Sequence, residues 1–133
     1  LASDKNLIAK ARRWRKALGG GMRQAGFLAA AGIYALDNHV QRLSEDHQNA
    51  FRLAQGLAEI RGLAVDPDEV ETNIVLFRVV KDGLTAAALV GRLKTEGVLV
   101  LAVGPDRIRA VTHLNVDRQG VEIALDKTAR LMM

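Results

Sequence analysis

The sequence predicts an α+β fold, a helical N-terminal half followed by a small antiparallel sheet with helices on one face. Three observations predict it. Apolar residues recur at helical spacing up to about residue 61, and after Gly62 the pattern changes to β-branched runs. The second half then reads β, α, β, β, α, an order that suits a small sheet with helices packed against it. At 133 residues, 49% of them hydrophobic, the chain can build one core but is short of two independent domains. The expected organisation is a helical segment over 1–62 and a small α+β domain over 63–133.

Leu7, Ala11, Trp14 and Leu18 make residues 4–18 an amphipathic helix with Ser3 as its N-cap, and that stripe assigns Trp14 to the core. Gly19, Gly20 and Gly21 end the helix, because ordering three successive glycines costs too much entropy. A second helix starts near Met22 and runs to about Asn38, and its small residues Ala25, Gly26, Ala29, Ala30 and Gly32 allow close approach of another backbone. A third covers about 39–61 on Val40, Leu43, Ala50, Ala54 and Leu57. His47 falls within its stripe and is read as a histidine satisfied at a packing surface; His39 is given no role.

Asp66-Pro67-Asp68 marks a turn, and "TNIVLFRVV" at 72–80 is a strand closed by Asp82-Gly83. Residues 85–95 return to helical spacing through Ala86, Leu89, Val90 and Leu93. Residues 98–103 and 108–114 are two strands, and Gly104-Pro105-Asp106 between them suits an antiparallel hairpin. Asp117 caps a last helix on which Val121, Leu125, Thr128 and Met132 share a face.

The chain has no cysteine, which removes disulfides, thiolate catalysis and cysteine-bound metals and points to a reducing compartment; no metal site is expected. Asp4, Lys5, Lys10 and Arg12 interrupt the first segment where a signal peptide would be apolar, and no run reaches the length of a membrane span. A soluble, cytoplasmic protein is expected. The start at Leu1, leading straight into a helical pattern, suggests a piece of a longer polypeptide.

The net charge of +4 is local. Residues 1–23 hold Lys5, Lys10, Arg12, Arg13, Arg15, Lys16 and Arg23 against Asp4, which leaves 12 basic and 14 acidic residues in the remainder. A nucleic-acid surface spreads its cations over a face and adds stacking aromatics, whereas here Trp14 is the one aromatic among them. The basic run is first read as a solvated helix face. The glycine loop has two readings. Bare backbone followed by a helix N-terminus can approach an anion, with Arg23 in the first turn and Lys16 just before the loop as its cations. Alternatively, Gly19–Gly21 are a helix-to-helix joint with a capping glycine. The spacing fits neither a P-loop nor a dinucleotide fingerprint.

"RRWRKALGGGMRQAGFLAAAGIYAL", followed by "LSEDHQNA", "ETNIVLF" and "RAVTHLNV", resembles the C-terminal part of the low-specificity L-threonine aldolases over nearly the whole chain, in order and spacing. These are pyridoxal-phosphate enzymes of the aspartate-aminotransferase fold type, fold type I. The resemblance implies a retro-aldol cleavage of L-threonine or L-allo-threonine to glycine and acetaldehyde, and by family likeness a homotetramer. It implies that Arg109 holds the substrate carboxylate, with Arg107 two residues earlier as the rival, and that Lys16 and Arg23 lie near the cofactor phosphate, partly across a subunit boundary.

The departures matter too. The family's Schiff-base lysine stands in a serine-lysine-glycine context, which none of Lys5, Lys10, Lys16, Lys81, Lys94 or Lys127 shares, so this stretch alone is not expected to turn over substrate. Asn115 replaces the aspartate more usual after "THL", with a structural effect expected, and His113 is read as a hydrogen-bonded structural residue. Two other classes stay open: a basic-helix module for nucleic acid or an anionic surface, and a purely structural oligomerisation module.

Overall fold

A computed structural model describes residues 3–133. The chain forms two compact units, one running to Val40 and one of Gln41–Met133.

The first unit contains helices α1 (Lys5–Ala17) and α2 (Gly26–Asn38). Asp4, rather than Ser3, caps α1: its carboxylate accepts from the N–H groups of Asn6 and Leu7 at 2.8 and 3.0 Å. An ionised carboxylate there also offsets the helix dipole, as Arg15 and Lys16 do in the last turn. The helix ends in a Schellman turn, in which the Gly20 N–H donates to the Arg15 carbonyl at 2.8 Å and the Gly19 N–H to that of Lys16 at 3.2 Å. Gly19 takes φ +80°, a conformation disfavoured for any residue with a Cβ. The second helix starts at Gly26, four residues later than Met22.

Neither helix has a buried residue. Trp14 is 67% exposed, against the assignment of its stripe to the core, and Phe27 is 89% exposed. The periodicity correctly marks the apolar side of α1, but it says nothing about what covers that side. Nothing among the unit's described residues does.

The second unit runs α3 (Leu43–Ala58), β1 (Leu63–Ala64), a 3₁₀ turn (Pro67–Glu69), β2 (Ile74–Val79), α4 (Ala86–Thr95), β3 (Leu101–Ala102), β4 (Arg107–Val111) and α5 (Arg118–Met132). The sheet order is β1-β2-β4-β3, antiparallel throughout. The 104–106 loop joins β3 to β4 as the expected hairpin, and β1 is an edge strand the sequence pattern does not signal. Thr85 and Asp117 cap α4 and α5 through bonds to the N–H groups of Ala88 and Gly120.

Period-two alternation sends Val75, Phe77 and Val79 of β2 and Ile108 and Ala110 of β4 inward. Against them pack Leu53 and Leu57 of α3, Leu89 and Leu93 of α4, and Val121 and Leu125 of α5. A fully buried leucine such as Leu89 contributes about 1.5–3 kcal/mol. Helix α3, which the sequence pattern groups with residues 1–62, thus packs on the sheet. His47 is exposed rather than seated at a packing surface; its neighbour Asp46 is the buried one, held by two hydrogen bonds from Arg42 at 2.9 and 3.1 Å. No helix among the described residues is long and apolar enough to cross a membrane.

Candidate functional site

In the first unit, the last turn of α1 sets Lys16 at the edge of the glycine loop. A Cβ built on Gly21 would lie 3.0 Å from Lys16 Cδ and 3.4 Å from its Nζ. The bare backbone at Gly21 is therefore what lets the lysine side chain fold against the loop. Arg23 lies in the loop itself, three residues before α2, and not in a helical first turn. The chain reaches α2 through Gln24, which takes a left-handed φ of 53°. The cation expected in the first turn of a helix from Met22 thus stands in the loop that precedes α2.

No side chain caps α2, whose N-cap position is Ala25. Its leading N–H groups, Lys16 and Arg23 all lie on a stretch that carries no acidic residue between Asp4 and Asp37. That chemistry fits a phosphate-bearing group. Further along α2, His39 packs edge-on against Tyr34 at 5.6 Å between ring centroids, with its Nδ1 buried and without a partner among the described residues.

In the second unit, both rival arginines project from the sheet face that carries no helix. Their surroundings differ. Arg107 stands opposite Arg78 of β2, and Arg78 donates to Asp106 at 2.8 Å. The Arg78 hydrogen bond holds the Asp106 carboxyl below its usual range, with the charge of Arg107 adding to the effect. Arg109 stands opposite Leu76 of β2 on one side and Leu101 of β3 on the other. Neither arginine makes a side-chain hydrogen bond or ion pair among the described residues; Arg109 is flanked by leucines, a setting that suits a planar carboxylate, whereas Arg107 lies beside the Arg78–Asp106 pair.

Two residues the sequence reading passed over secure this region. Thr112 is 1% exposed, and Asn73 binds it across the strands, its amide donating to the Thr112 carbonyl at 2.8 Å. A signal existed: Thr112 shares parity with Ile108 and Ala110, so the alternation places a hydroxyl in the core, where it must find a partner. His113 accepts from the Asn115 N–H at 3.2 Å, in keeping with a structural reading of both.

The beta-eliminating lyase family model matches residues 1–80. The chain belongs to that family. The family member's curated relatives include the low specificity L-threonine aldolase of Escherichia coli (strain K12), 45% identical over 119 residues that cover 90% of this chain and 34% of the relative. Low-specificity L-threonine aldolase 1 of Arabidopsis thaliana is 37% identical over 100% of this chain and 37% of its own length. The chain thus spans about a third of the length of the curated relatives it matches. Among solved structures, a complex of the cystine C-S lyase C-DES with its product cysteine persulfide superposes with a TM-score of 0.65, at 23% identity over 79% of this chain and 28% of that one. The same protein with glycine covalently linked to its PLP cofactor gives the same score. At that identity the likeness speaks for the fold.

Proposed function

We propose that this chain is the C-terminal part of a pyridoxal-phosphate-dependent L-threonine/L-allo-threonine aldolase, a carbon–carbon lyase that yields glycine and acetaldehyde. The observation that carries the proposal is Arg109, outward on β4 between Leu76 and Leu101 with its fork uncommitted. Similarity to threonine aldolases along the whole chain supports it.

In this reading Arg109 holds the substrate carboxylate by two parallel hydrogen bonds and so orients the bond to be cleaved. Lys16, Arg23 and the N–H groups opening α2 hold the cofactor phosphate. The cofactor, when bound, supplies the electron sink for Cα–Cβ cleavage. The proton of the β-hydroxyl leaves, acetaldehyde departs, and a proton returned to Cα gives glycine, so the atoms balance without water. The Schiff-base lysine belongs to sequence outside this stretch, which by itself is inactive. In this reading the helical stretch up to Val40 connects to the cofactor domain, and Gln41–Met133, with α3 packed on the sheet, form the small domain. The full enzyme, on the same reading, is cytoplasmic, and the resemblance to the threonine aldolases implies a homotetramer.

Product analysis on the full-length protein tests the function. Equimolar glycine and acetaldehyde from L-threonine are expected. Release of 2-oxobutanoate and ammonia instead would mean β-elimination and overturn the aldolase reading.

A further inference from the structure

The geometry points to Thr112 as a positioning residue that holds the end of β4, and through it Arg109, in place; this rests on the carboxylate-binding role proposed for Arg109. The third strand pairs with β4 only at Leu101↔Arg109 and Ala102↔Ile108. Arg109 is therefore the last residue of β4 with a strand on both sides. Beyond it, in place of a continued β3 ladder, lies a cavity of about 270 Å³, with Leu99, Val100, Ala110, Val111 and Thr112 in its wall.

β2 continues to pair with β4 as far as Val111, and beyond that ladder the strand end is secured by Thr112. Its N–H donates to the Asn73 carbonyl at 3.0 Å, and its own carbonyl accepts from the Asn73 amide at 2.8 Å. Its hydroxyl donates to the carbonyl of Asp46 at 2.6 Å, in the first turn of α3. That turn is itself fixed by the paired bonds from Arg42 to the Asp46 carboxylate. Thr112 faces the helices and Arg109 the opposite side, so the tie holds the strand without occupying the arginine's surroundings. A bidentate contact tolerates displacement of only about 0.5 Å and 10–20°. Exchanging the hydroxyl for a methyl keeps the volume but cuts the tie to α3. The strand end can then move toward the cavity, and Arg109 moves with it.

The test uses the full-length holoenzyme in four forms: wild type, Thr112→Val, Arg109→Ala and the double variant, with Thr112→Ser as the rescue. Thr112→Val is expected to raise KM for L-threonine about three- to tenfold, the scale of one lost hydrogen bond, with kcat and the cofactor absorbance unchanged. Thr112→Ser should restore it, and in the Arg109→Ala background Thr112→Val should add nothing. A wild-type KM for Thr112→Val, or an equal rise in both backgrounds, would overturn the inference while leaving the Arg109 role standing. An unchanged KM for Arg109→Ala would remove that role and the inference together. Should Thr112→Val not accumulate as folded protein, Asn73→Ser, which cuts the bond to the Thr112 carbonyl, enters the same comparison with the same readings.

Discussion

Arg109 and Leu76 stand directly opposite each other on β4 and β2, while Arg107, two residues earlier, stands opposite Arg78. The strand places both arginines on one face, and the register separates their chemistry. Arg107→Ala is accordingly expected to change KM for L-threonine by less than about threefold, since it removes only an exposed charge near an existing ion pair. Steady-state kinetics of the full-length enzyme check this; a loss of tenfold or more would make Arg107 the carboxylate ligand.

The Gly21 position predicts a separation of stability from cofactor affinity. Gly21→Ala puts a methyl 3.0 Å from Lys16 Cδ, and a flexible side chain yields at little cost. The ammonium is displaced with it. Thermal stability of the apoenzyme should stay within about 0.5 kcal/mol of wild type while pyridoxal phosphate binds more weakly, as fluorescence titration would show. Unaltered affinity would count against the phosphate role of Lys16.

Gly56 on α3 is buried against Leu125 of α5, where an added Cβ would come within 2.6 Å of Leu125 Cδ2. Here the obstacle is a packed core side chain. Gly56→Ala should cost about 1–3 kcal/mol by overpacking, read as a lower denaturant midpoint with unchanged slope. Neutral or raised stability would show that α3 and α5 can move apart freely.

Arg52 of α3 donates two hydrogen bonds to Glu122 of α5, at 2.7 and 2.9 Å. The hydrogen bond and then the charge of Arg52 hold the Glu122 carboxyl below its ordinary 4.5. A carboxyl depressed on folding stabilises the native state above its unfolded pKa and loses that contribution as pH falls through the folded value. The pair is exposed, so the effect is modest. Melting temperatures followed from pH 7 to pH 3 should fall less steeply in Glu122→Gln than in wild type at the acid end; identical acid limbs would contradict the coupling.

Much of the fold was legible because its signals are local. Asp117 and the apolar face of α5, the alternation of β2 and the turn at 104–106 are set by neighbours in sequence, and each stands as expected. Long-range relations were not legible. Trp14 lies on an apolar stripe that the described residues leave uncovered, and His47 lost its place to Asp46 because Arg42 supplies a buried ion pair one turn away. The start of α2 is not legible in the sequence because Gln24 adopts a left-handed backbone that its residue type does not announce. At the candidate site, the resemblance favours Arg109 over its rival Arg107; which residues stand across the strands from each was not legible, because register is a tertiary property.

The most direct test of the central claim is the kinetics of Arg109→Ala in the full-length enzyme. A fall in kcat/KM of about 10²-fold or more, with the cofactor still bound and its absorbance intact, is the predicted result for losing a charge-assisted bidentate contact. Kinetics for L-threonine indistinguishable from wild type would contradict it.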